Sequence, residues 1–155
     1  MTSKRWLIRI TLSTFALAPV SPAAAQHLEL SISPAVITFA SADPDAVPLL
    51  SSAPVTIRYR IRQNNRNPWL ITVLAGGDLV SGASTIDVSS VSWVATPSPP
   101  FTSGTLSRTV AQTLASGVGN AAPPTFASIT FRLANSWTYD AGMYTQVLVF
   151  TLSAP

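Results

Sequence analysis

Residues Val55–Arg62 alternate without a break. Val55, Ile57, Tyr59 and Ile61 occupy one parity, and Thr56, Arg58, Arg60 and Arg62 the other. Successive side chains of an extended chain point to opposite faces, so this pattern makes one apolar face and one wet face. A helix would scatter both sets around its circumference. The segment is therefore a half-buried β-strand, and the rest of the chain must supply strands to pair with it.

Such strands are easy to find. Leu28, Leu30 and Ile32 alternate with Glu29, Ser31 and Ser33, and Ala35–Phe39 follows beyond Pro34. Residues 41–52 carry Asp43-Pro44-Asp45 and Pro48 and read as a loop. Asn64–Pro68 reads as a turn, and Trp69–Ala75 as a return strand, apolar on both faces and hence central in a sheet. Thr85–Val88, Val91–Ala95, a weak segment at Arg108–Leu114, Thr125–Leu133 and Met143–Leu152 complete the set. Pro97, Pro99 and Pro100 break pairing after the fifth residue of the Val91 segment. Ser116–Pro124 reads as a small-residue loop. Seven or eight short strands with regular turn signals and no helical periodicity predict an all-β, two-layer antiparallel β-sandwich.

The first residues read differently. Met1–Arg5 is basic, Trp6–Val20 is apolar except where Arg9 interrupts it, and Ser21-Pro22-Ala23-Ala24-Ala25-Gln26 offers a small-x-small site. These are the three parts of a secretory signal peptide. Pro22 ends the helix that the apolar run would form. The uninterrupted stretch Ile10–Val20 is short of the ~20 residues that span a bilayer. The expectation is a signal peptide over 1–25, cleaved between Ala25 and Gln26 with Ala23 and Ala25 in the small-residue positions, followed by one domain over 26–155. The protein is then exported to the periplasm, the cell surface or the extracellular space, with no integral membrane segment after processing.

Processing changes the charge. The chain has nine basic and six acidic residues. Lys4, Arg5 and Arg9 lie in the leader, so six arginines face six acids in the remainder and the net charge is zero. A basic surface for nucleic acid is not expected. Cysteine is absent, which excludes thiol catalysis, cysteine metal sites and disulfides. A small exported domain without them relies on packing, sheet pairing or association with neighbours.

Asp140-Ala141-Gly142-Met143-Tyr144 resembles the tyrosine corner of immunoglobulin-like sandwiches. Gly142 would allow a tight turn and the Tyr144 hydroxyl would tie back to nearby backbone. The strand that begins there, Gly142–Leu152, comes at the end of the chain behind a leader and an Ile/Leu-rich first strand. That layout resembles bacterial surface sandwiches of the fimbrial-subunit and spore-coat-U-like kind. The resemblance implies an immunoglobulin-like fold, Asp140, Gly142 and Tyr144 as a structural corner, and a role in a surface or fibre assembly.

Catalytic chemistry finds little support. The single histidine, His27, sits beside the expected new N-terminus, so histidine-based nucleophile activation has no partner. Glu29, Asp43, Asp45, Asp78, Asp87 and Asp140 could pair as glycosidase carboxylates. Most sit beside Gly, Pro, Ser or Thr, where aspartate caps turns. Asp43 and Asp45 could offer oxygens to calcium, though far fewer than the six to eight it takes. No catalytic residue, metal ligand or cofactor is expected. Arg58, Arg60 and Arg62, with Arg66 nearby, form the one candidate ligand site, a stripe suited to an anionic glycan or an acidic partner. The same stripe would serve as a solvated face. Trp69, Trp93 and Trp137 could form a carbohydrate-stacking platform, but each sits in or beside an apolar strand, so core packing is expected, with Trp137 the best candidate for exposure. Three functions compete: a structural or adhesive module that self-assembles or joins protein partners, a monomeric glycan binder using the arginines, and a hydrolase using an aspartate pair. The first is preferred. In one version of it, Leu28–Ile32 of one copy completes the sheet of a neighbour.

Overall fold

The computed structural model describes residues 7–14, 26–63 and 66–154. The cleavage positions Ala23 and Ala25 lie outside them; Gln26 is inside and exposed. No α-helix occurs among the described residues, and none of their helices is long and apolar enough to cross a membrane.

Among the described residues thirteen strands form two layers. In chain order they are β1 (Leu7–Thr14), β2 (His27–Ser33), β3 (Val36–Phe39), β4 (Leu49–Ser51), β5 (Val55–Arg62), β6 (Pro68–Ala75), β7 (Leu79–Ser81), β8 (Ser84–Ile86), β9 (Val91–Thr96), β10 (Gly104–Thr105), β11 (Gln112–Val118), β12 (Ala121–Ala134) and β13 (Met143–Ser153). One layer runs β10-β9-β12-β5-β2, with β4 also on β12; the other runs β11-β6-β13-β1-β3, with the β7–β8 hairpin on β13.

The alternation of β5 works as its sequence requires. Val55, Ile57, Tyr59 and Ile61 are buried, while Arg58, Arg60 and Arg62 point outward. Ile129, Phe131 and Leu133 of β12 turn inward beside them in the same layer, and Trp69, Ile71 and Val73 of β6 and Leu148 and Phe150 of β13 turn inward from the opposite one. Each fully buried aliphatic side chain contributes about 1.5–3 kcal/mol. Tyr59 meets Trp69 and Phe101 at ring-centroid distances of 5.4 and 5.8 Å, within the range of favourable aromatic pairs. Trp93 is buried and its indole N–H donates to the Thr102 carbonyl at 2.8 Å. Trp137 is 58% exposed.

Besides the short strands β7 and β10 and a β11 that begins at Gln112 instead of Arg108, three segments depart from the sequence reading. Residues 41–52 are not all loop, because β4 pairs with the end of β12. Residues 116–124 are not a loop either: β11 reaches Val118 and β12 begins at Ala121. Pro123 and Pro124 fit inside β12 because the pairing with β5 shifts register between Ala121 and Thr125, and a bulge leaves residues whose N–H is not needed. The third departure is β1. The apolar run read as helical is a strand here, parallel to β13 over Leu7–Thr14 and antiparallel to β3 over Ile8–Thr11.

Candidate functional site

Two features offer themselves as sites: the strand slot filled by β1, and the outer face of β5.

The slot lies between β13 and β3. Both pair with β1 and not with each other, so they stand one strand apart, about twice the usual 4.7–4.9 Å spacing. Ile10 of β1 is fully buried, with Gln146 of β13 on one side and Ile37 of β3 on the other. Arg9 and Thr11 are exposed. Gln146 is a polar residue at an inward position, 8% exposed. Its Nε2 donates to the Gly77 carbonyl and its Oε1 accepts from Val147 N at 2.6 Å. The Gln146 side chain is thus hydrogen-bonded locally, and the strands that flank the slot turn Ile37, Phe39, Tyr144 and Leu148 inward, all buried.

β13 is held at its start by the corner. The Tyr144 hydroxyl donates to the Asp140 carbonyl at 3.2 Å, and the Asp140 carboxylate accepts from the Ser84 hydroxyl at 2.6 Å. The need for glycine at 142 comes from a close approach and not from a left-handed turn: a Cβ there would collide with the Ser81 side chain.

On the outer face of β5, Arg58, Arg60 and Arg62 stand opposite Ser31, Glu29 and His27 of β2. Glu29 is the hub. His27 Nε2 lies 2.5 Å from it, Arg60 3.4 Å and Arg58 3.8 Å. The hydrogen bond with His27 is the main reason the Glu29 carboxyl sits below its ordinary range; Arg60 and Arg58 add to it, and partial desolvation opposes it. Arg62 and Arg132, a fourth arginine on this layer's outer face, have no carboxylate within salt-bridge reach among the described residues. Arg132 was not anticipated from the sequence. Its position opposite Ser51 and Ser92 on neighbouring strands is a matter of pairing, which its local alternation alone does not reveal. Phe126, 58% exposed, lies opposite Arg58. Arg66 is exposed in the turn between β5 and β6, off the stripe.

The aspartates act locally. Asp43 Oδ1 accepts from Asp45 N at 2.9 Å, Asp87 Oδ1 from Ser89 N at 2.7 Å, and Asp78 from Val88 N at 3.1 Å and Arg108 Nη1 at 2.7 Å. Asp45 accepts from the Trp137 indole at 3.2 Å. No group of three His, Asp or Glu side chains able to hold a metal occurs among the described residues. A shallow depression of about 700 Å³ between Tyr59, Trp69, Asn120, Pro123, Pro124 and Phe126 presents mostly ring and aliphatic surface. Burial pushes the Tyr59 phenol up, with a hydrogen bond to Thr125 opposing it.

No protein-family model matches the chain, and no curated protein matches it in sequence.

Proposed function

We propose that this chain is an exported, non-catalytic β-sandwich subunit of a surface or fibre assembly, and that subunits join by lending a strand to one another. The observation that carries this reading is the slot between β13 and β3, which is filled by a segment belonging to the leader. Once residues 1–25 are removed, the fold keeps two facing strand edges and an uncovered row of apolar side chains. Such edges are templates for another chain.

What supports an immunoglobulin-like arrangement is the strand order: β2-β5-β12-β9 would match one sheet of such a sandwich, and the β6–β13 pair part of the other. The bond from the Tyr144 hydroxyl at the start of β13 is in keeping with a corner tyrosine. Leu28–Ile32 remains the donor of choice. Its alternation matches that of Ile8–Leu12 in the leader strand. It forms the edge strand β2 on β5, and none of its side chains is fully buried, so its exchange uncovers little of the core.

The test is light scattering on the processed chain, recovered after export, across a wide concentration range. Concentration-dependent multimers are expected; a monomer that stays stable at high concentration defeats the reading. The alternative, a monomeric binder of anionic glycan, is favoured by one observation: Arg62 and Arg132, on the face that also carries Arg58 and Arg60, have no ion-pair partner among the described residues. It predicts retention on a sulfated matrix that disappears when Arg58, Arg60 and Arg62 become serine.

A further inference from the structure

We propose that Leu7–Thr14 is an internal plug: in the unprocessed chain it closes the strand-accepting slot, and its removal with the leader turns a closed monomer into a subunit competent to assemble. The proposal rests on the strand-sharing reading above and adds to it a control on when sharing can begin.

Three observations carry it. First, the fit is complete along the strand. All eight residues pair with β13, and four of them also pair with β3. Ile10 has no solvent exposure, whereas its neighbours Arg9 and Thr11 are exposed.

Second, the sequence of this segment is written for a strand as well as for a leader. Ile8-Arg9-Ile10-Thr11-Leu12-Ser13 alternates apolar and polar residues through six positions. An apolar leader core gains nothing from Arg9, which interrupts it. A strand with one wet face does, because an outward arginine costs nothing in water and an inward Ile10 fills the slot.

Third, the cleavage site lies clear of both strands. β1 ends at Thr14, beside Phe150, and β2 begins at His27, beside Arg62. Residues 15–26 join them, and a chain of that length spans up to about 40 Å when extended. A single cut between Ala25 and Gln26 therefore separates plug from domain without cutting any described strand.

The consequence is compartmental. A copy that folds before export carries its own strand in the slot and offers neighbours no open edge. A copy that has lost the leader offers both edges.

The experiment uses the full chain produced without processing, its Ile10→Asp variant, and a Thr11→Asp control at an exposed position. The probe is a fluorescent synthetic peptide covering Gln26–Ser33, read by anisotropy. The plug predicts that Ile10→Asp binds the peptide at least about tenfold more tightly than the unsubstituted chain and the control, because apparent affinity scales with the fraction of open slots. Equal affinity for all three overturns the plug and leaves strand sharing standing. No binding by any folded form overturns both. Hydrogen exchange on the unsubstituted full chain gives a second reading that does not depend on how the variant folds. The amides of residues 8–14 are expected to be protected like those of β13, and free exchange there overturns the plug.

Discussion

The Tyr144 hydroxyl donates to the carbonyl of Asp140, four residues earlier, at 3.2 Å. The bond spans the turn that launches β13, and the ring beneath it is 1% exposed. Tyr144→Phe keeps the ring and removes the bond. A stability loss of about 0.5–1.5 kcal/mol is expected, seen as a lower urea midpoint with an unchanged slope. An unchanged midpoint would show that the corner does not hold β13.

Gly104 is predicted to be intolerant of any side chain. A Cβ there would lie 2.6 Å from Cζ2 of Trp93, and the indole cannot retreat while its N–H is held by the Thr102 carbonyl. Gly104→Ala should cost about 1–3 kcal/mol, the usual range for overpacking a filled core. Trp93 fluorescence and near-ultraviolet dichroism should change with it. A variant as stable as the parent with an unaltered spectrum would contradict the packing described.

Acid should loosen β2 through Glu29. Its folded carboxyl lies below the ordinary value of 4.5, chiefly through the hydrogen bond with His27. A depressed folded pKa means that the contribution to stability is complete above the unfolded value and is lost as pH falls through the folded one. Glu29→Gln should therefore differ from the parent near neutral pH, and the two should converge below about pH 4. Thermal melts between pH 7 and 3 would measure this, and a gap that persists at pH 3 would assign the effect to something other than charge. Asp87, lowered mainly by its hydrogen bonds with Ser89, acts in the same direction and in the same window.

Ile37→Ala, on the β3 side of the slot, should destabilise the chain of residues 1–155 by about 2–5 kcal/mol, as expected for a fully packed aliphatic side chain. A chain starting at Gln26, if the slot is then empty, should lose less, because part of the cavity lining is already open. Parallel denaturation of the two forms gives the comparison. Equal losses would mean that Ile37 is as well covered without β1 as with it.

Much of this was legible in the residues. The faces of β5, the central placement of β6 and the burial of Trp69 and Trp93 all follow from patterns within a few residues, because period-two alternation is local; the pattern does not expose Trp137, for which core packing is the expectation and which is 58% exposed. The outward arginine stripe is legible for the same reason. What alternation cannot specify is which edge meets which. Strands β7, β10 and β4 are too short to carry a pattern, and Pro123 and Pro124 hide β12 behind residues that usually end a strand. The slot is the extreme case. It is made by residues 7–14, 36–39 and 143–150, far apart in the chain, so only tertiary pairing brings them together. The sequence by itself determined that the chain is a stack of alternating strands behind a leader-like segment. The tertiary structure decided that the leader-like segment is also a strand, because the free edges of β13 and β3 leave their backbone groups and apolar side chains to be satisfied by whichever alternating segment reaches them.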